Sequence, residues 1–185
     1  MLIDLTTTGL PLDFEIAYAR ADNFTGRQIY ATPRALLHPD AVDKLSKATD
    51  MAARLGYRFR IYDAYRPVEA QWALWRSASD KMYVADPRRG GPHTRGVAVD
   101  LTLLDSAGAP LDMGGHFDDL TSNAWHDADV ARDAQRNRHL LLGLMTAAGW
   151  DCYLKEWWHY QLFDARRYPA LTDGQAGARM MPQST

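Results

Sequence analysis

Two short stretches hold residues whose types and spacing could do chemistry. His93 is followed by Gly96, Ala98 and Asp100 in the pattern H-x-x-G-x-A-x-D, and Glu156-Trp157-Trp158-His159 stands near the other end of the chain. Two imidazoles and a carboxylate make the three-ligand set of a catalytic zinc, which leaves its fourth position to water, and a further carboxylate nearby can act as base. His93, Asp100 and His159 are the candidate ligands and Glu156 the candidate base. The competing reading is two surface histidines and two solvated carboxylates. One geometric requirement separates them. On a flat strand, residues at an odd offset point to opposite faces, so Glu156 and His159 share a site only if the backbone turns or bulges between them. An irregularity is expected there.

The elements that must position these residues follow from local signals. Phe14, Ile16 and Tyr18 alternate with Glu15 and Ala17 as in a half-buried strand, and Asn23-Phe24-Thr25-Gly26 supplies a turn. Pro39 opens a helix with an apolar stripe over Val42, Leu45, Ala48 or Thr49, Ala52 and Leu55, and Gly56 is placed to end it. Residues 57–62 alternate as a strand, and Pro67 starts a second helix, which puts Arg66 at a strand-to-helix corner. The segment from Asp86 to Gly96 is rich in proline and glycine and predicts a loop that delivers the chain into a strand at Val97–Leu103. A third helix is predicted from about Val130 to Ala148, a final strand over roughly Trp150–Phe163, and a poorly ordered tail after about Pro169. Helices and strands mix without regular alternation. That favours a single α+β domain, residues 1–185, with a central, mainly antiparallel sheet flanked by helices and the zinc site on the sheet.

Composition narrows the function classes. With 21 Lys plus Arg against 23 Asp plus Glu among 185 residues, the net charge of −2 lacks the cationic excess of a nucleic-acid binder. No window approaches the roughly 20 apolar residues of a membrane span, and residues 1–8 have neither a positive nor an apolar signal region. A cytoplasmic location with no membrane partner is the expectation. The single cysteine, Cys152, lies in an apolar stretch and reads as a small buried hydrophobe.

The stretch Gly91-Pro92-His93-Thr94-Arg95-Gly96-Val97-Ala98-Val99-Asp100-Leu101-Thr102-Leu103, with Glu156-Trp157-Trp158-His159-Tyr160, resembles the zinc D-alanyl-D-alanine dipeptidases, the VanX-type peptidases. The likeness covers nearly the whole chain. Residues 22–26 resemble the family's N-terminal segment, Tyr62-Asp63-Ala64-Tyr65-Arg66-Pro67 its arginine motif, and Asp112-Met113-Gly114 with Phe117-Asp118 its central loop. The resemblance implies one zinc ion per chain on His93, Asp100 and His159, with Glu156 as base and Arg66 stabilising the transition state. It places Tyr18 and Asp118 near the substrate's amino end. Gly91 departs from it, since the family commonly has serine two residues before the first zinc histidine. Either substrate recognition differs at Gly91, or a backbone N–H does the same task, or the loop is tighter.

The implied activity is hydrolysis of D-Ala-D-Ala or a related short dipeptide containing D-residues. The alternatives are a zinc D,D-carboxypeptidase or L,D-endopeptidase acting on longer cell-wall peptides, a zinc-containing binding module without catalysis, and a metal-free small-molecule binder. Oligomeric state is not legible in the sequence.

Overall fold

Residues 97–104 are apolar but for Asp100 and Thr102, a composition suited to a strand covered on both faces. The computed structural model describes residues 1–183. Its elements run β1 (Ile3–Asp4), β2 (Leu12–Phe14), β3 (Leu36–Leu37), α1 (Pro39–Arg54), β4 (Arg58–Asp63), α2 (Val68–Ser77), β5 (Ala98–Leu104), α3 (Arg132–Ala147), β6 (Asp151–Cys152), β7 (His159–Gln161) and α4 (Asp173–Ala176). Every residue of β5 is buried. It is the middle strand of a five-stranded sheet in the order β2-β4-β5-β7-β6, in which only the β2–β4 pair is parallel, while β1 and β3 form a small antiparallel pair elsewhere. The α+β architecture and mainly antiparallel sheet agree with the sequence reading.

Helix α1 forms where its local signals place it. Pro39 occupies its first turn, His38 caps it by accepting the Asp40 N–H on Nδ1, and Gly56 follows at φ +80°. The buried stripe is Ala41, Leu45, Ala48, Thr49 and Ala52; Leu55, placed on that stripe by periodicity, is exposed at the frayed end. Fully burying a side chain such as Leu45 contributes about 1.5–3 kcal/mol. Helix α1 packs with Leu141, Leu144 and Met145 of α3 against Phe59, Ile61, Leu101 and Leu103 of the sheet, in one apolar cluster.

Three sequence expectations need correction. The strand foreseen over Phe14–Tyr18 stops at Phe14, and Tyr18 sits in a single 3-10 turn, Ala17–Ala19. The cause is distant in sequence: β2 is held by Phe59–Ile61 of β4, and the register of β4 shifts just beyond Ile61. The strand foreseen over 150–163 is instead two short strands, β6 and β7, with a turn at 153–158 between them. The chain past Pro169 is packed, not loose. The Leu171 N–H donates to Thr94 O, the Tyr65 hydroxyl lies 2.9 Å from the carbonyls of both Leu171 and Thr172, a Thr172/Gln175 capping box opens α4, and Ala178 and Met180 are buried.

Candidate active site on the sheet

The sheet register assembles the site. In an antiparallel pair, residues directly opposite one another point their side chains to the same face. Asp100 of β5 stands opposite His159 of β7 on one side and opposite Asp63 of β4 on the other. Asp63 reaches that position through the irregularity between Ile61 and Asp63, which brings the buried carboxylate level with Asp100. His93 arrives from the loop before β5, in a 3-10 turn (His93–Arg95) that Gly96 ends at φ +67°. That left-handed backbone favours glycine, and a Cβ there would also require the Leu2 side chain to move.

The three expected ligands converge through one atom each. His93 Nε2 lies 3.2 Å from Asp100 Oδ1 and 3.1 Å from His159 Nδ1, and His159 Nδ1 lies 3.0 Å from the same Asp100 oxygen. Two nitrogen or oxygen donors bound tetrahedrally to one zinc ion at about 2.0–2.1 Å stand about 3.3 Å apart. The near-equilateral triangle therefore fits one small ion with an open fourth position. Among the described residues, these three form a metal-capable group. Burial acts to raise the Asp100 carboxyl, but the imidazoles of His93 and His159 outweigh it and hold the group well below the usual carboxylate range.

Glu156 lies in the turn between β6 and β7, where its N–H donates to Tyr153 O and its carbonyl accepts the His159 N–H. This is the irregularity the spacing required. It brings Glu156 Oε2 to 3.9 Å from His159 Nδ1. Burial is the main cause that pushes the Glu156 carboxyl up to about 7, with Asp100 adding to it and His159 and Arg66 opposing.

Arg66 stands at the corner between β4 and α2, as expected, and is buried. Its Nε donates to Asp63 Oδ2 at 2.8 Å, Nη1 to Gln71 Oε1 at 3.1 Å, and Nη2 lies 3.5 Å from Asp100 Oδ2, while the ring of Tyr18 packs 5.0 Å from the guanidinium carbon. The ion pair with Asp63 thus holds the guanidinium beside His93, Asp100 and His159. Gln71 was invisible in the sequence. The available signal was a polar residue on the buried face of α2, between Ala70 and Leu74.

Tyr18 and Asp118 meet at the other side of the site, with the Tyr18 hydroxyl donating to Asp118 Oδ1 at 3.1 Å. Asp118 holds a left-handed backbone, φ +61°, and its Oδ2 is buried with no partner among the described residues. Burial, reinforced by Asp100, pushes this carboxyl well above its ordinary range. Gly91 lines the same cavity, and a Cβ there would lie 3.0 Å from the Ala85 Cβ. The loop at Gly91 is tight, and Ala85 occupies the space a side chain would need. All eight residues border one cavity of about 200 Å³.

The chain is also similar to known proteins. A family model for peptidase M15, described as D-Ala-D-Ala dipeptidase, matches residues 1–173. The chain is similar to the D-alanyl-D-alanine dipeptidase of Escherichia coli (strain K12), with 46% identity over 93% of this chain and 90% of that one. It is 33% identical to the D-alanyl-D-alanine dipeptidase of Enterococcus faecium, over 82% of this chain and 86% of that one. Against the protein of that name from Streptomyces coelicolor, identity is 34% over 86% of this chain and 89% of the other.

Proposed function

The chain belongs to the peptidase M15 family of D-Ala-D-Ala dipeptidases and is a metallopeptidase, and from that premise we propose that it hydrolyses D-Ala-D-Ala or a closely related short dipeptide with one zinc ion held by His93, Asp100 and His159. The observation that carries the proposal is the triangle of donor atoms with Glu156 and Arg66 at its edge. A zinc ion held by these three residues would lower the pKa of water to about 7 and supply a Lewis acid for the carbonyl.

The protein's own groups do the rest. Glu156 takes a proton from the attacking water and returns it to the amine that leaves. A carboxyl pushed up to about 7 is near the balance point for a group that must first accept and then donate at neutral pH. Arg66 meets the negative charge that grows on the carbonyl oxygen. Of the five N–H groups of a guanidinium, those aimed at Asp63, Gln71 and Asp100 leave one free on each terminal nitrogen. Such donors act strongly where the cavity walls exclude water.

At the amino end, Asp118 Oδ2 would find in the substrate's ammonium group the partner it lacks. Tyr18 orients that carboxylate, and Gly91 with Ala85 closes the wall. The cavity of about 200 Å³ has room for a small substrate, and a second hollow that shares Ala85, Gly91, Pro92 and Gln161 adjoins it. The proposal includes a single domain in the cytoplasm. Among the described residues no helix is long and apolar enough to cross a membrane.

The test is release of free D-alanine from D-Ala-D-Ala by purified protein, compared after chelation and after zinc is restored. Release that vanishes on chelation and returns with zinc is expected. A folded, zinc-loaded protein that leaves D-Ala-D-Ala intact would overturn the dipeptidase reading in favour of a longer peptide or of binding alone.

A further inference from the structure

The two histidines turn opposite nitrogens toward the cluster, Nε2 for His93 and Nδ1 for His159. A neutral imidazole has one lone pair and one N–H. The nitrogen that faces an ion must carry the lone pair, so the other must carry the proton and needs an acceptor for it. For His93 the acceptor is the Ala64 carbonyl, 2.6 Å from Nδ1. That group belongs to the backbone, accepts only, and survives any substitution. For His159 the acceptor is a side chain: Gln161 Oε1 lies 3.2 Å from Nε2.

We propose that Gln161 is a positioning residue for the metal, its amide oxygen holding the His159 proton on Nε2 so that the Nδ1 lone pair faces Asp100 and His93. The inference rests on the metal-site reading above. Its placement is built into the sheet. Gln161 follows His159 by two residues on β7 and shares its face, standing between Ala98 of β5 and Asp151 of β6 across the ladder.

The need for this acceptor comes from Asp100. Its Oδ1 lies 3.0 Å from His159 Nδ1 and is charged, so it competes for the single imidazole proton. A proton drawn to Nδ1 would occupy the corner of the triangle where the lone pair must stand. Gln161 opposes that shift. His93 is not exposed to the same failure, because its acceptor is fixed by the fold.

The test is zinc affinity measured by competition with a chromophoric chelator. Gln161→Leu, which removes the acceptor at similar size, is expected to bind zinc about 10- to 100-fold more weakly. Gln161→Glu, which keeps an acceptor oxygen, is expected to bind at least as tightly as wild type. Metal-free wild type and Gln161→Leu should unfold at the same midpoint, which a merely structural role would not allow. Long-range ¹H–¹⁵N correlation on the zinc-loaded wild-type protein should find the His159 proton on Nε2, and this needs no variant. Equal zinc affinity in Gln161→Leu, or zinc on Nε2 of His159, would overturn the inference. Wild-type protein that binds no zinc would overturn the metal-site reading and this inference with it, whereas failure of Gln161→Leu alone to weaken binding leaves that reading standing.

Discussion

Along β5 the odd-numbered residues Val99, Leu101 and Leu103 face Tyr160, Ile61 and Phe59 across the ladder and belong to the apolar cluster under α1 and α3. The even-numbered Asp100 faces Asp63 and His159 on the opposite side, with Arg66 and His93 closing over it. Both faces are buried, yet they are buried at different cost. Apolar side chains lose little by leaving water, while a buried charge is tolerated only when paired and hydrogen-bonded. The helix face supplies stability that the polar face draws on, and Asp63, Arg66, His93, Asp100 and His159 are each fixed there by a named partner. Substitutions on the two faces should therefore fail differently: in the fold on one side, in the chemistry on the other.

The largest effect tests that division at Glu156. Glu156→Gln keeps the shape and is expected to retain zinc while turnover falls about 10²- to 10⁴-fold. Zinc content by elemental analysis, measured beside the rate, reads both. Loss of zinc would make Glu156 a ligand, and a wild-type rate would remove its role as base.

Arg66 comes next, and here the choice of variant matters. Alanine would strand the Asp63 carboxylate, fully buried and paired at 2.8 Å, and removing one partner of a buried pair costs about 3–5 kcal/mol in stability. Lysine keeps a cation beside Asp63 but loses the planar fork. Arg66→Lys is expected to fold, bind zinc and lose about 10²- to 10³-fold in kcat. An unchanged kcat would reduce Arg66 to a structural ion pair.

The opposite face makes the complementary statement. Leu101→Ala should cost about 2–5 kcal/mol of stability, read by urea unfolding. The folded fraction should keep its kcat/KM, because the side chain points away from the cluster. A catalytic loss in still-folded protein would show that the two faces are not independent.

Legibility in the sequence followed the same line of division. Helix α1 could be read because its signals are local: a proline, a stripe and a terminal glycine within residues 39–56. The three donor residues that the structure brings together could be singled out because histidines are few, six among 185 residues, and the family pattern that contains them is ordered along the chain. The break after Phe14 could not, since it depends on a register shift in β4, some 45 residues away. Nor could the docking of residues 171–180, which rests on Thr94, Tyr65 and the 31–32 backbone. Gln71 and Gln161 escaped because a neutral amide has no signature until its partner is in view.

His126 adds a pH test on the helix side. Its carbonyl accepts from Gln135 of α3, and both ring nitrogens are buried with no partner among the described residues. Burial first, then Arg138 and His139, push the imidazole down from 6.5 to about 4. The folded value lies below the unfolded one, so the unfolded chain takes up a proton that the folded chain refuses. The neutral histidine's contribution is therefore complete above about pH 6.5 and is lost as pH falls toward 4, a change of about 3 kcal/mol. Unfolding free energies of wild type and His126→Leu should converge or cross as pH falls across that window. Parallel curves would show that His126 is not the acid-sensitive group.

The smallest expected effect lies on the polar face at Asp118, and it asks whether that face binds as well as catalyses. Asn at this position keeps the size and can still meet the Tyr18 hydroxyl, but it cannot carry the charge that an ammonium group would recruit. A hydrogen bond to a charged partner contributes about 1.5–3 kcal/mol, so Asp118→Asn should raise KM about 10- to 100-fold for free dipeptides with little change in kcat. An amine-blocked dipeptide presents no ammonium, and for it wild type and variant should differ little. If the variant loses equally on blocked and free substrates, Asp118 supports the cavity wall instead. Its unpartnered oxygen and left-handed backbone would then need another explanation, because neither stabilises the fold.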